Sequence, residues 1–306
     1  MIGFVFRFWG LLAQGDHGGE GEQDIAAVWD AHMMEEVADS HHFIVPGLNI
    51  SIDLPQWPPL HIGALTIDMS PTKHVIWIMM AATVCALVLI WTARKTHGRG
   101  ADRAPKGLAN VIEAFVIYLR DEVVIRNIGK GGERYVPFAL TLFFFILFMN
   151  LLGLVPFGSA ATGNIMVTAA LAILSLVVIE VGGAIHLGPK AYIKTIVYVP
   201  EGLPWFGKIP MALIMTPVEA IAKFARIFAL AIRLFANMTA GHLVILSLVG
   251  LIFMAAGAGA AKWAIAPAPV LMAVAIMLME IFIALLQAYI FTMLTSVFIG
   301  LVRHPH

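Results

Sequence analysis

The chain has 306 residues, 60% of them hydrophobic and only 12% charged, with a mean hydropathy of +0.89. These values exclude a soluble globular domain and place the chain among polytopic membrane proteins. A formal net charge of zero gives no basis for a nucleic-acid partner, and the single cysteine, Cys85 in an apolar run, excludes a disulfide framework and a cysteine-based metal site.

Residues 1–13 are apolar but too short to span a bilayer, and Arg7 interrupts them. Both a signal peptide and a membrane-surface helix fit this stretch. Residues 16–42 are acidic and rich in histidine, yet His17, His32, His41 and His42 lack the spacing of helical metal ligands, so no metal site is assigned there. From Phe43 to Pro71 short alternating pieces, including 48–54 and 65–68, are broken by Pro46, Pro55, Pro58 and Pro59. They predict brief strands or extended loops outside the membrane. Residues 1–72 therefore read as an extracytoplasmic segment and 73–306 as a membrane domain.

The first span is predicted over Val75–Thr92, with Trp77 and Trp91 at interfacial depth. Arg94, Lys95, Arg99, Arg103 and Lys106 follow it, whereas the preceding segment is acidic. The excess of basic residues puts this loop in the cytoplasm and the N-terminus outside. Leu108–Ile128 is amphipathic, with Ile112, Phe115, Val116 and Leu119 at helical spacing against Glu113, Arg120, Asp121 and Arg126. It reads as a helix on the cytoplasmic face. Val136–Val155 and Ile165–Leu187 form a hairpin of spans around a turn at 156–164. Asn150 is expected to bond across helices. Glu180, one to two turns from the cytoplasmic end, is expected to reach water, in preference to a relay role.

A Pro- and aromatic-rich loop then leads to two long apolar stretches. The first, Met211–Ala258, would be ~70 Å long as one straight helix, and the second, Pro269–Val302, ~50 Å. The hydrocarbon core is only ~30 Å thick, so each must be strongly tilted or bent. A tilted helical pair of this kind suits a broad, curved partner.

The polar residues of this last hairpin are few, and their register is ordered. Residues at equal depth in an antiparallel hairpin have position numbers with a constant sum; Arg233 and Gln287 give 520, and His242 and Glu280 give 522. Two polar levels follow, the second ~10–14 Å nearer the outside. At 100° per residue, Ala229, Arg233, Ala236, Asn237 and Ala240 share one narrow face, with Glu219, Lys223 and Arg226 on the same side. His242 points about half a turn away. Small residues allow close helix packing, which would bring a partner's carboxylate near the guanidinium. Arginine does not deprotonate in proteins, so it attracts a carboxylate without passing on a proton. Histidine and glutamate both exchange protons. One level thus carries a fixed charge and the other proton carriers, and charge at membrane depth is costly enough to indicate function.

Around Leu230-Ala-Ile-Arg233-Leu-Phe-Ala-Asn237-Met-Thr-Ala-Gly241-His242 the sequence resembles subunit a of the rotary F-type ATP synthases. Phe148-Met-Asn150-Leu-Leu-Gly-Leu-Val-Pro156, Asn164-Ile-Met-Val-Thr168 and Leu286-Gln287-Ala-Tyr-Ile-Phe-Thr-Met-Leu-Thr295 add to the likeness, which covers roughly residues 65 to 302. The resemblance implies a membrane stator facing a ring of c subunits, with b-type peripheral stalk subunits and the rest of the F1Fo complex as further partners, in the bacterial inner membrane. It implies that Arg233 is the essential arginine separating two aqueous half-channels. Asn237 and Gln287 match polar residues near it, Glu219 an acidic residue at the cytoplasmic exit, and His242 with Glu280 the outer half-channel pair. Some bacterial members hold this last pair in the reverse order, Glu on the first helix and His on the second. Gly153 and Glu180 depart from the bacterial pattern.

The expectation is an all-α membrane protein of five to six embedded helices, the last two a long tilted hairpin, plus one amphipathic surface helix. It binds no cofactor, touches membrane lipids, has no catalytic site of its own, and ends at a cytoplasmic C-terminus. A self-contained proton-coupled secondary transporter is the rival; such proteins usually carry internal repeats, and none is found here.

Overall fold

The computed structural model of the chain describes residues 42–44, 51–58, 60–62, 65–67, 70–97, 107–154, 160–188, 192, 205–256 and 267–303. The readings of residues 1–41, of the loop before residue 205 and of the turn near 257–266 lie outside these residues, apart from Tyr192.

Among the described residues, four short strands precede the first helix. β1 (His42–Ile44) pairs antiparallel with β2 (Ser51–Asp53), placing Phe43 opposite Ile52. β3 (Leu60–Ile62) pairs with β4 (Leu65–Ile67), placing His61 opposite Thr66. The alternating pieces predicted for this region, 48–54 and 65–68, contain β2 and β4; β1 and β3 fall outside them. Three-residue strands carry little pattern of their own and are defined by the partner across the ladder. Trp57 N–H donates to Ser70 Oγ at 3.0 Å, which fastens the segment to the start of the first helix.

Five helices are long and apolar enough to cross a membrane, among the described residues. They are α1 (Lys73–His97), α3 (Val136–Gly153), α4 (Ile165–Leu187), α5 (Trp205–Ala256) and α6 (Pro267–Arg303). Each contains nearly all of a stretch read from the sequence. α5 has 52 residues and α6 has 37, or ~78 and ~56 Å of helix. Pro210 and Pro217 lie inside α5, where each removes a backbone donor and supplies a cause for bending.

The amphipathic stretch forms the helix α2, over residues 108–128. Its middle, Leu119–Ile125, is a π-helix, and Arg126 N–H bonds to the Asp121 carbonyl five residues back. Adjacent Val123 and Val124 are both buried there. Ile112 and Leu119 are buried and Arg120, Asp121 and Arg126 exposed, in keeping with the predicted faces. A second apolar set, Leu108, Val111, Ile117 and Tyr118, is exposed and suits a helix lying against lipid.

The contacts divide the chain into two units built from interleaved segments, one of 1–83, 148–164 and 235–285, the other of 84–147, 165–234 and 286–306. In the second unit, Val124 and Ile128 of α2 pack with Ala139, Ile179 and Ile299. Arg303, at the C-terminal end of α6, closes this unit. It is 6% exposed, donates through Nη2 to the Lys130 carbonyl at 2.8 Å, and lies over the Tyr135 ring. Gly131, at φ 80°, sits where a Cβ would meet that guanidinium, so glycine serves both the left-handed turn and the close approach.

In the first unit, Asn150 is the buried tie. Its Nδ2 donates to the Ala284 carbonyl at 3.5 Å and its Oδ1 accepts from Thr162 Oγ1 at 2.9 Å. The bond across helices expected from the sequence is present. Replacement by alanine leaves the Thr162 hydroxyl and the Ala284 carbonyl without this partner, at a cost of ~1–3 kcal/mol. Asn150→Ala is therefore expected to lower the thermal unfolding midpoint of the detergent-solubilised protein. An unchanged midpoint would show that the network carries no stability.

Candidate functional site

The buried and exposed positions of α5 separate cleanly around Arg233. Ile227, Leu230, Ala231, Leu234 and Met238 are buried, at the spacing of one helical face. Ala229, Arg233, Ala236, Asn237 and Ala240 are exposed, so the alanine-lined face is one that this chain leaves uncovered. Among the described residues Arg233 forms no ion pair; the cations of α5 that do are Lys223 and Arg226. A guanidinium has five donors in a fixed fork and is made for a carboxylate. Its place on a face of small side chains gives a partner helix access to it.

Gln287, predicted at the level of Arg233, belongs to the same unit and is 6% exposed. No hydrogen bond joins it to Arg233. Asn237 falls in the other unit, with His242 and Glu280.

Those last two form the second part of the site. Glu280 is 7% exposed, and both carboxylate oxygens are buried without a hydrogen-bond partner. His242 Nε2 is buried and partnerless as well. The Glu280 side chain lies on the backbone of Gly241, where a Cβ would fall on Oε1. His242 and Glu280 are thus brought to neighbouring positions through Gly241, without a hydrogen bond or ion pair between them. Buried polar groups are normally bonded, and three unsatisfied atoms at one place call for a functional explanation.

Gly241 entered the sequence reading only as part of a motif. Its requirement comes from a side chain on another helix, which no local pattern reveals. Gly241→Ala is expected to displace the Glu280 side chain, at a cost of ~1–3 kcal/mol, and to lower the thermal unfolding midpoint of the detergent-solubilised protein. An unchanged midpoint would show that Glu280 has no fixed position to lose.

On the other unit, Glu219, Lys223 and Arg226 follow one another on one side of α5 at i, i+4 and i+7. Arg226 Nη2 lies 3.7 Å from Glu219 Oε1, and Lys223 Nζ lies 4.0 Å from Glu180 Oε1 on α4. All four line a cavity of about 150 Å³, closed on its apolar side by residues that include Ile179 and Phe298. Arg226 also lies over the Phe298 ring, 5.7 Å from its centre. Glu180, read from the sequence as reaching water, is here the ion-pair partner of Lys223. The helix α4 alone contains no sign of that pairing.

Among the described residues there is no cluster of three or more potential metal ligands.

Comparison with known proteins agrees with these features. The model of the ATP synthase A chain family matches residues 74–300. A protein of Chloroherpeton thalassium named ATP synthase subunit a is 39% identical over 300 residues, covering 97% of this chain and 86% of its own length. The protein of that name from Anaeromyxobacter dehalogenans is 41% identical over 305 residues, covering 95% and 74%. That of Myxococcus xanthus is 42% identical over 275 residues, covering 82% and 84%.

Proposed function

Since the chain belongs to the ATP synthase A chain family, we propose that it is the proton-translocating stator of an F-type ATP synthase, facing a ring of c subunits. The observation that carries this reading is the exposed Arg233 on an uncovered alanine face of α5. A lone cation on such a face needs an anionic partner supplied by another chain.

In this reading protons enter from outside past His242 and Glu280 and neutralise a ring carboxylate. The neutral carboxylate can turn into lipid, which an ionised one cannot. After nearly a full turn it releases its proton toward the cytoplasm near Glu219. Arg233 holds the returning anion and, being permanently charged, passes no proton between the two paths. Asn237 and Gln287 are polar companions of this step. The driving term is ~2.3 kcal/mol per charge per 100 mV. The protein sits in the bacterial inner membrane with a cytoplasmic C-terminus, a placement supported by the basic run from Arg94 to Lys106.

Purification under mild conditions tests the assignment against a secondary transporter. The chain is expected to co-purify with a c ring and a b-type peripheral stalk, and to move no ion when reconstituted alone. Coupled transport by the isolated chain in vesicles would overturn it.

A further inference from the structure

We propose that Glu180 is a second proton-accepting residue of the exit path, placed ahead of Glu219. The proposal rests on the exit role given to Glu219 above and extends it to a residue on a different helix.

Three observations carry it. The first is the cavity: at about 30 Å³ per water molecule, 150 Å³ has room for several waters, and its wall bears two carboxylates and two cations. The second is origin. Glu180 comes from α4 and is tied to Lys223, while Glu219 and Arg226 come from α5, so the two carboxylates reach one cavity from different helices. The third is exposure. The side chains of Lys223 and Glu180 are 23% and 28% exposed, those of Arg226 and Glu219 44% and 45%. The Lys223–Glu180 pair is the more enclosed of the two, which puts Glu180 ahead of Glu219 on a path that ends in water.

The charges make the arrangement work as a relay. With both carboxylates ionised the four groups sum to zero charge, so the cavity carries no unbalanced charge at rest. A proton leaving a ring carboxylic acid bonds to a Glu180 oxygen, turning it into a carboxylic acid. It then passes through cavity water to the Glu219 carboxylate and to the cytoplasm, and Glu180 returns to its anion. Lys223 stays an ammonium throughout. From α6, Phe298, Leu301 and Val302 line the cavity and bring no titratable group.

The alternative is a structural ion pair in which Glu180 only balances Lys223. Passive proton conduction through membranes stripped of F1 separates the two, measured across a pH series. Glu180→Gln is expected to lower conduction about tenfold and to change its pH profile, with Glu180→Asp keeping most of it. The double variant Glu180→Gln/Lys223→Gln, neutral again, is expected to stay low. Recovery in the double variant would overturn the proposal, since balance alone would then suffice. Unchanged conduction in Glu180→Gln would overturn it too, and Glu219→Gln then locates the failure. If Glu219→Gln lowers conduction, only the role of Glu180 falls; if it does not, the exit reading itself falls. Should Glu180→Gln not assemble, conduction in the double variant is compared with that in Lys223→Gln. A lower value in the double supports the proposal and an equal one overturns it.

Discussion

Arg233→Ala is expected to abolish ATP synthesis driven by an imposed proton gradient while leaving the complex assembled. The effect follows from the face on which the residue sits. Ala229, Ala236 and Ala240 keep the surface of α5 shallow around the guanidinium, and nothing among the described residues of this chain is paired with it. A carboxylate at 4 Å from a fixed charge gains ~4 kcal/mol at an effective dielectric near 20. That is about a thousandfold in an equilibrium constant, so removing the arginine removes most of the hold on the returning anion. In the proposed mechanism it also removes the fixed charge between two proton paths, so passive proton leak is expected to rise or persist while synthesis is lost. Arg233→Lys is expected to restore little, because an ammonium lacks the planar fork and can give up its proton when enclosed. Vesicles carrying Arg233→Ala that still made ATP from a gradient would refute the barrier role.

Exchange of His242 and Glu280 between their helices is the second test with a large expected effect. Glu280 lies against Gly241, beside His242, and both side chains have buried atoms without partners. If they act on one proton path, the place matters more than which helix supplies which group. His242→Glu and Glu280→His are each expected to lower proton flux by about tenfold or more, since each leaves two like groups where an acid and a base were needed. The combined exchange restores one of each and is expected to recover more flux than either single change. Proton pumping driven by ATP hydrolysis in membrane vesicles reads this directly. A double variant no better than the worse single one would show that the two residues are not coupled.

The two glutamates of the cavity between α4 and α5 are joined by packing and not by pattern. Glu219, Lys223 and Arg226 share a side of one helix, and helical spacing alone places them together. Glu180 comes from α4, and its pairing with Lys223 depends on how two helices pack. Gly241 is a similar case. Its lack of a side chain matters only because Glu280 occupies the space above it.

The sequence by itself determined the spans, the unusual length of the last two helices and the face that carries Arg233. Each follows from a one-dimensional quantity: hydrocarbon thickness, rise per residue or the 100° step between side chains. It also brought His242 and Glu280 to one level of the hairpin, where Glu280 lies on the backbone of Gly241. Only the tertiary structure decided which polar groups are buried without partners, which cations are paired, and where the chain leaves a cavity. Those depend on contacts between helices far apart in sequence, and the burial that makes a lone carboxylate or histidine costly exists only once the helices have closed around it.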